Sequence, residues 1–220
     1  GANNSGTPTV DSNGRIVYPS GYIFNGTMGA AQWTSCPSMV LLDLLTDQRY
    51  GFGVHISPDQ STDAKRYENL DLFSFVAASK FANTLVRSGF GDEEEPRFSC
   101  NANIQAATSA FDLINDLASV MRCMPIWAQG TIQMTQDSPK QASYLFNLAN
   151  VTEGFSYSGS SLKTRHTAVA VAYFNMDSRE IDFEQVRDED AINKYGLITK
   201  QIKAFGCTSR GQAARLGKAV

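Results

Sequence analysis

Histidine and cysteine, which supply most transition-metal ligands and many catalytic nucleophiles, are scarce in this 220-residue chain. It has two histidines, and its four cysteines lie far apart without a Cys-x-x-Cys pair: His55, His166, Cys36, Cys100, Cys123 and Cys207. A zinc site would need ligands from distant segments, unlike the compact spacing of zinc motifs. The sequence therefore predicts no metal or cofactor, and cysteines that pack as small, reduced apolar side chains.

Strong positive charge and long apolar runs are also absent. A formal net charge of -3 argues against the basic surface that binds nucleic acid or anionic lipid. Apolar runs such as residues 39–42 are far shorter than the roughly 20 residues that cross a bilayer. The first eleven residues are small and polar and do not form a signal-peptide pattern. The hydrophobic share of 42% suits a globular protein with a packed core.

The first 150 residues favour a helix-rich module. Residues 1–14 are predicted to be a flexible linker because they contain almost no apolar side chains. Apolar spacing of three and four residues predicts three helices, over residues 37–46, 71–87 and 105–122. We further predict a solvated acidic loop over residues 92–95 and a strand over residues 97–100. A hairpin that turns at Gly130 is predicted over residues 124–135.

After about residue 150 the pattern changes to strands. Alternating and β-branched segments predict four strands, over residues 155–157, 167–174, 181–186 and 197–205. One short helix is predicted over residues 188–195. The fold class is therefore predicted as α+β, with a helix-rich module over residues 15–150 and a β-rich, partly barrel-like module over residues 151–220. We expect the second module to be incomplete at its C-terminal end, with an open sheet edge or a terminal helix that lacks part of its partner surface.

Residues 205–214, with the sequence FGCTSRGQAA, carry the densest set of reactive side chains. Arg210 follows Cys207 by only three residues, and this spacing is too short for the loop that surrounds the phosphate in a cysteine phosphatase. The Gly-x-x-x-x-Gly-Lys phosphate loop is also absent from the sequence. A capped strand-to-helix turn explains more of the residues. Gly206 permits the turn, Thr208 or Ser209 is the predicted helix cap, and Ser209 with Gln212 has the spacing of a capping box.

Two pairs of aspartates and two tryptophans are further candidates for functional residues. Two Asp pairs have four-residue spacing and could in principle serve a glycosidase, but both lie beside apolar helix stripes, where solvated charges are usual: Asp43 with Asp47, and Asp112 with Asp116. Core packing is the prediction for both Trp33 and Trp127. No catalytic residue is predicted.

Several sequence blocks together resemble one known family. They are Trp33-x-x-Cys36-Pro37, Arg49-Tyr50-Gly51-x-Gly53, Glu95-Pro96-Arg97-Phe98-x-Cys100-Asn101, residues 130–137, residues 157–161, Tyr195-Gly196 and residues 204–213. In order and spacing they are similar to the central tail-tip proteins of lambda-like phages, also called host-specificity or tip attachment protein J. The resemblance extends over nearly the whole chain after about residue 14. One departure is Cys36, since the family more often has asparagine before this proline.

The resemblance implies a structural, non-enzymatic part of a phage or prophage tail tip. The family fold looks like the hub domains of phage baseplates. Three copies form a ring that continues the tail tube and holds the central fibre in host attachment and DNA delivery. The implied partners are two further copies and other tail-tip and tail-tube proteins, with no recognition of nucleic-acid sequence and no membrane insertion. The implied location is the virion, after synthesis in the bacterial cytoplasm.

Family members are several times longer than this chain, so the resemblance also implies an internal fragment. Arg49, Tyr50 and Arg210 are predicted interface residues, because Tyr and Arg are enriched at interfaces, although packing within one chain would explain them as well. Two other functions remain open from the residues alone. One is a wall-degrading or phosphoryl-processing enzyme domain with a pocket of acids or Cys207, and the other is a glycan- or receptor-binding module with an exposed aromatic groove.

Overall fold

The computed structural model describes residues 6–104, 109–139, 141–152, 154–159, 161 and 165–220. Within these ranges the helices are α1 (Pro37–Thr46), α2 (Gly53–Ile56), α3 (Asp63–Arg66), α4 (Leu72–Ala82), α5 (Ala110–Val120), α6 (Glu189–Tyr195) and α7 (Arg210–Ala219). The strands are β1 (Thr9–Val10), β2 (Ile16–Val17), β3 (Leu85–Arg87), β4 (Glu94–Pro96), β5 (Cys123–Ala128), β6 (Thr131–Gln136), β7 (Ala168–Asn175), β8 (Glu180–Arg187) and β9 (Thr199–Lys203).

The first core is formed mainly by helices. α1 begins at Pro37, whose missing N–H would be unpaired in a first turn anyway. Its apolar residues recur at helical spacing, so one face is buried against α4 and α5. The fully buried side chains of this core include Leu41, Leu45, Phe75, Leu117 and Met121. The β5–β6 hairpin packs beside them and adds Met134 to the same cluster.

The second core lies between a three-stranded sheet and α7. β7 is central, runs antiparallel to β8 and is parallel to β9, with α6 in the connection between the two outer strands. Alternation along β7 directs Val169, Val171 and Tyr173 to one face, where they pack with Ala213 of α7 and with Cys207. Gly217 lets α7 approach this face, because a Cβ there would lie 2.7 Å from Val186 Cγ2.

The structure confirms the predicted first helix, the hairpin and the strands over residues 167–174 and 181–186. The hairpin turns where Gln129 and Gly130 both have positive φ, as a two-residue turn requires. The predicted strand over residues 197–205 is shorter, and residues 155–157 form no strand. The third helix begins later than predicted, at Ala110, and residues 105–108 lie outside the described residues.

Three further predictions are corrected. Residues 9 and 10 pair with residues 16 and 17, so the last part of the predicted linker over residues 1–14 is structured. The helix predicted over residues 71–87 ends at Ala82, because residues 85–87 pair with residues 94–96 instead. The same pairing moves the predicted strand from residues 97–100 to Glu94–Pro96, so the acidic run is only partly a loop.

The α+β class is confirmed. The described strands form three two-stranded sheets and one three-stranded sheet, none of which closes into a barrel. The likeness to hub domains and the division at residue 150 remain predictions. No described helix has the length and apolar character to cross a bilayer.

Candidate functional site

Residues 205–214 form the predicted turn from strand to helix. Gly206 has φ +58°, and α7 begins four residues later. Ser209 is the N-cap, and its Oγ accepts a hydrogen bond from the Gln212 N–H at 3.2 Å. The capped-turn prediction is therefore confirmed for the backbone of this motif.

The Gln212 side chain does not complete a capping box. Its Oε1 accepts from the Ser99 N–H at 3.0 Å, and its Nε2 donates to the Ser99 carbonyl at 3.1 Å. The amide thus pairs both polar backbone groups of a residue that lies more than a hundred positions earlier. Because Gln212 is buried, these bonds tie α7 to the segment after β4.

Glu95 and Arg215 form the centre of this connection. Their Oε1 and Nη1 atoms are 2.7 Å apart, and each side chain is only about one fifth exposed. The second Glu95 oxygen accepts from the Ser209 hydroxyl, while Arg215 Nη2 donates to the Arg97 carbonyl at 3.1 Å. We call Glu95, Ser99, Ser209, Gln212 and Arg215 the junction, because they join the segment around β4 to α7.

Cys207 does not have the environment of a nucleophile. Its side chain belongs to the second core, only 2% of the residue is exposed, and the thiol donates to the Ser209 carbonyl. Burial raises the pKa of Cys207 to about 11, against which the hydrogen bond is a smaller effect. A thiol with this pKa is protonated at neutral pH, which argues against catalysis at this residue.

We expect Cys207 to resist alkylation by iodoacetamide at pH 8 in the folded chain. Its thiolate is scarce there and its sulfur is covered, whereas the half-buried Cys123 should react first. Peptide mass spectrometry over a time course would measure both rates, with the chain in urea as the control. Labelling of Cys207 as fast as in urea would contradict the buried site.

The two Asp pairs accept hydrogen bonds from a loop or face solvent. The Asp47 carboxylate accepts from the Arg49 and Tyr50 N–H groups at 2.7 and 2.9 Å, and the Tyr50 bond lowers its pKa most. This aspartate therefore stabilises a loop as a charged acceptor. Asp112 and Asp116 are exposed on α5. Among the described residues, no cluster of three His, Cys, Asp or Glu side chains could hold a metal ion.

The three predicted interface residues lie in two places. Arg49 and Tyr50 share an exposed loop after α1, where the tyrosine hydroxyl donates to Asp43 and this bond raises the pKa of Tyr50 to about 12. Arg210 lies at the start of α7. It pairs with Glu184 at 2.7 Å and stacks over Phe90 at 3.9 Å. Their role as interface residues stays a prediction, and Arg210 already has partners within the chain.

Large apolar side chains are exposed over much of the described surface. Trp33 and Trp127 are 68% and 67% exposed, so the prediction of core packing is wrong for both. More than half of the side-chain surface is also exposed at Ile23, Phe73, Phe111, Met124, Tyr144, Leu145, Phe146, Leu148, Tyr157, Met176, Ile181, Phe183 and Leu197. Exposed apolar side chains are typical of contact surfaces where they adjoin one another, as the Tyr144 and Phe146 rings do with centroids 4.9 Å apart.

Sequence comparison connects these features to known proteins. Residues 109–220, slightly more than half of the chain, match the model of a family described as "Putative phage tail protein". The chain is 33% identical over 197 residues to tip attachment protein J of Escherichia phage SECphi27, and 28% identical over 197 residues to the protein of that name in Escherichia phage SECphi4. These alignments cover 89% and 88% of this chain, but only 16% of each relative.

Proposed function

The chain belongs to this phage tail protein family, and on that basis we propose that it is a structural part of a phage or prophage tail tip. The observation that carries the proposal is its similarity along most of its length to two proteins named tip attachment protein J. In this role it would hold the central fibre and continue the tail tube during host attachment and DNA delivery. It would act in the virion, after synthesis in the host cytoplasm.

The proposed role is structural and not catalytic. The Cys207 thiol is buried in the core, and the aspartates accept hydrogen bonds from a loop or are exposed on a helix. These features are compatible with a scaffold, because a scaffold needs packed elements and contact surfaces. The exposed aromatic and aliphatic side chains supply such surfaces. They support the proposal that the chain packs against other tail-tip and tail-tube proteins.

We further propose a hub-like module that assembles as a homotrimer. Small open sheets and short helices are compatible with this architecture, since sheet edges and apolar faces can be completed by neighbouring chains. The segment over residues 141–152 favours the same interpretation. It has no charged residue and exposes Tyr144, Leu145, Phe146 and Leu148.

Immunogold electron microscopy would test the proposed location. Antibodies raised against the 220-residue chain should label the tail tip of particles released by the strain that encodes it. Particles from a strain with the coding region deleted are the matched control and should bind no gold. Label on heads or along tail shafts, or absence of the chain from purified particles, would contradict the proposal.

A further inference from the structure

The three-stranded sheet has two outer strands of opposite charge. β8 carries Glu180, Asp182, Glu184 and one arginine, whereas β9 carries Lys200 and Lys203 and no acid. In the part of the chain that the structure describes, neither strand pairs with any strand other than β7. Both therefore present a row of backbone donors and acceptors to their outer side.

Lys200 shares a face of the sheet with the three acids, whereas Lys203, which aligns with Ala172, lies on the other face. Val169 of β7 aligns with Val186 on one side and with Lys200 on the other. Because side chains alternate along each strand, Lys200 projects to the same face as Glu180, Asp182 and Glu184. Since β7 separates the two outer strands, Lys200 cannot reach these acids within one chain, and it makes no ion pair among the described residues.

The strand directions permit a direct joint between chains. β8 is antiparallel to β7 and β9 is parallel to it, so β8 and β9 run in opposite directions. Two copies placed side by side in the same orientation would bring β9 of one copy against β8 of the next as an antiparallel pair. An antiparallel pair of this kind would join the two edges through backbone hydrogen bonds.

From this charge, face and direction we infer that β9 of one copy pairs with β8 of a second copy and continues the sheet from chain to chain. With Lys200 opposite Asp182, Glu180 would be a diagonal neighbour, at the distance over which cross-strand charges attract. Glu184, the other diagonal neighbour, already pairs with Arg210 of its own chain. The contact uses different surfaces on its two sides, so it can repeat around a rotation axis. The inference rests on the self-association included in the proposed function and names its contact.

Charge reversal tests the joint. One variant carries Lys200→Glu, a second carries Glu180→Lys and Asp182→Lys, and a third carries all three substitutions. We expect the unchanged chain to self-associate reversibly at low salt. Each of the first two variants should weaken association at least tenfold because like charges then face each other, and the third variant should recover to within about threefold because opposite charges meet again.

The control is Lys65→Glu, which makes the same change in net charge as Lys200→Glu on an exposed residue outside the sheet. The association constant of the control should stay within about threefold of that of the unchanged chain. Sedimentation equilibrium would measure the association constant of each variant. Circular dichroism checks folding, because Asp182 also accepts from Tyr173 and Asn175. If the second variant unfolds, Glu180→Lys with and without Lys200→Glu replaces it and should show the same loss and recovery.

Two results would overturn the joint. One is an unchanged chain that remains monomeric at all concentrations up to about 1 mM, which is the effective concentration within an assembly. The other is association that responds to edge reversal no more than to the control. Neither bears on the tail-tip location, which immunogold labelling measures separately, so failure of the joint and failure of the proposed function can be told apart.

Discussion

Replacing Arg215 by methionine should lower the free energy of unfolding by about 2 to 3 kcal/mol. The substitution removes the partner of Glu95 Oε1 at 2.7 Å, and it removes the donor to the Arg97 carbonyl at 3.1 Å. Methionine keeps much of the side-chain volume, so the expected loss comes from unpaired polar groups and only slightly from a cavity. The effect should fall below that of a fully buried pair, because both side chains are about one fifth exposed.

Urea unfolding would measure this loss, and Lys65→Met is the matched control. Lys65 also pairs with a glutamate, Glu68, at 3.2 Å, but both side chains are at least half exposed. An exposed pair contributes about 0 to 1 kcal/mol, so the control should change little. Equal losses in the two variants would show that the junction does not hold β4 to α7. Adding Glu95→Gln to Arg215→Met should recover part of the loss, since the buried charge is then gone.

Replacing Gly206 by alanine should destabilise the chain by about 3 kcal/mol, from two separate causes. Its φ of +58° is a conformation that costs an L-residue about 1 to 2 kcal/mol. A Cβ at this position would also lie 2.5 Å from Cys100 Sγ, which is buried in the first core. The sulfur or the turn would have to move, at a cost of about 1 to 3 kcal/mol.

Two further variants separate these causes. Gly89 has φ +85° and open space around its would-be Cβ, so Gly89→Ala should show the backbone cost alone. In a Cys100→Ala background the close contact is absent, and Gly206→Ala should then cost no more than Gly89→Ala. A double-mutant cycle by urea unfolding gives the contact term directly. A cycle without coupling would contradict the close approach of the two segments.

Local signals in the sequence predicted much of the fold correctly. Pro37 and the apolar spacing after it located α1, and Gly130 between two β-rich segments located the hairpin. The residue types around Ser209 predicted a helix cap at Thr208 or Ser209, and the structure has it at Ser209. Each of these features depends on interactions within about ten residues, which is the range over which sequence patterns are informative.

The errors have several causes. Apolar spacing continues to Val86, but β3 pairs with β4, and this pairing ends α4 at Ala82. Glu95 lies in an acidic run that is typical of a solvent-exposed loop, yet its carboxylate accepts hydrogen bonds from Ser209 and Arg215. The large apolar side chains of Trp33 and Trp127 led us to predict that they lie in the core, but both are exposed. The residues beside them in the sequence do not indicate this exposure.

The sequence by itself determined the α+β class, the capped turn before α7 and the resemblance to phage tail-tip proteins that family membership confirms. Only the tertiary structure decided that Cys207 is a buried thiol and that Gln212 bonds Ser99 instead of its own helix end. It alone placed acidic and basic edges on one sheet. The reason is physical: caps and turns are set by adjacent backbone groups, whereas burial, ion pairs and strand order depend on which distant segments pack together.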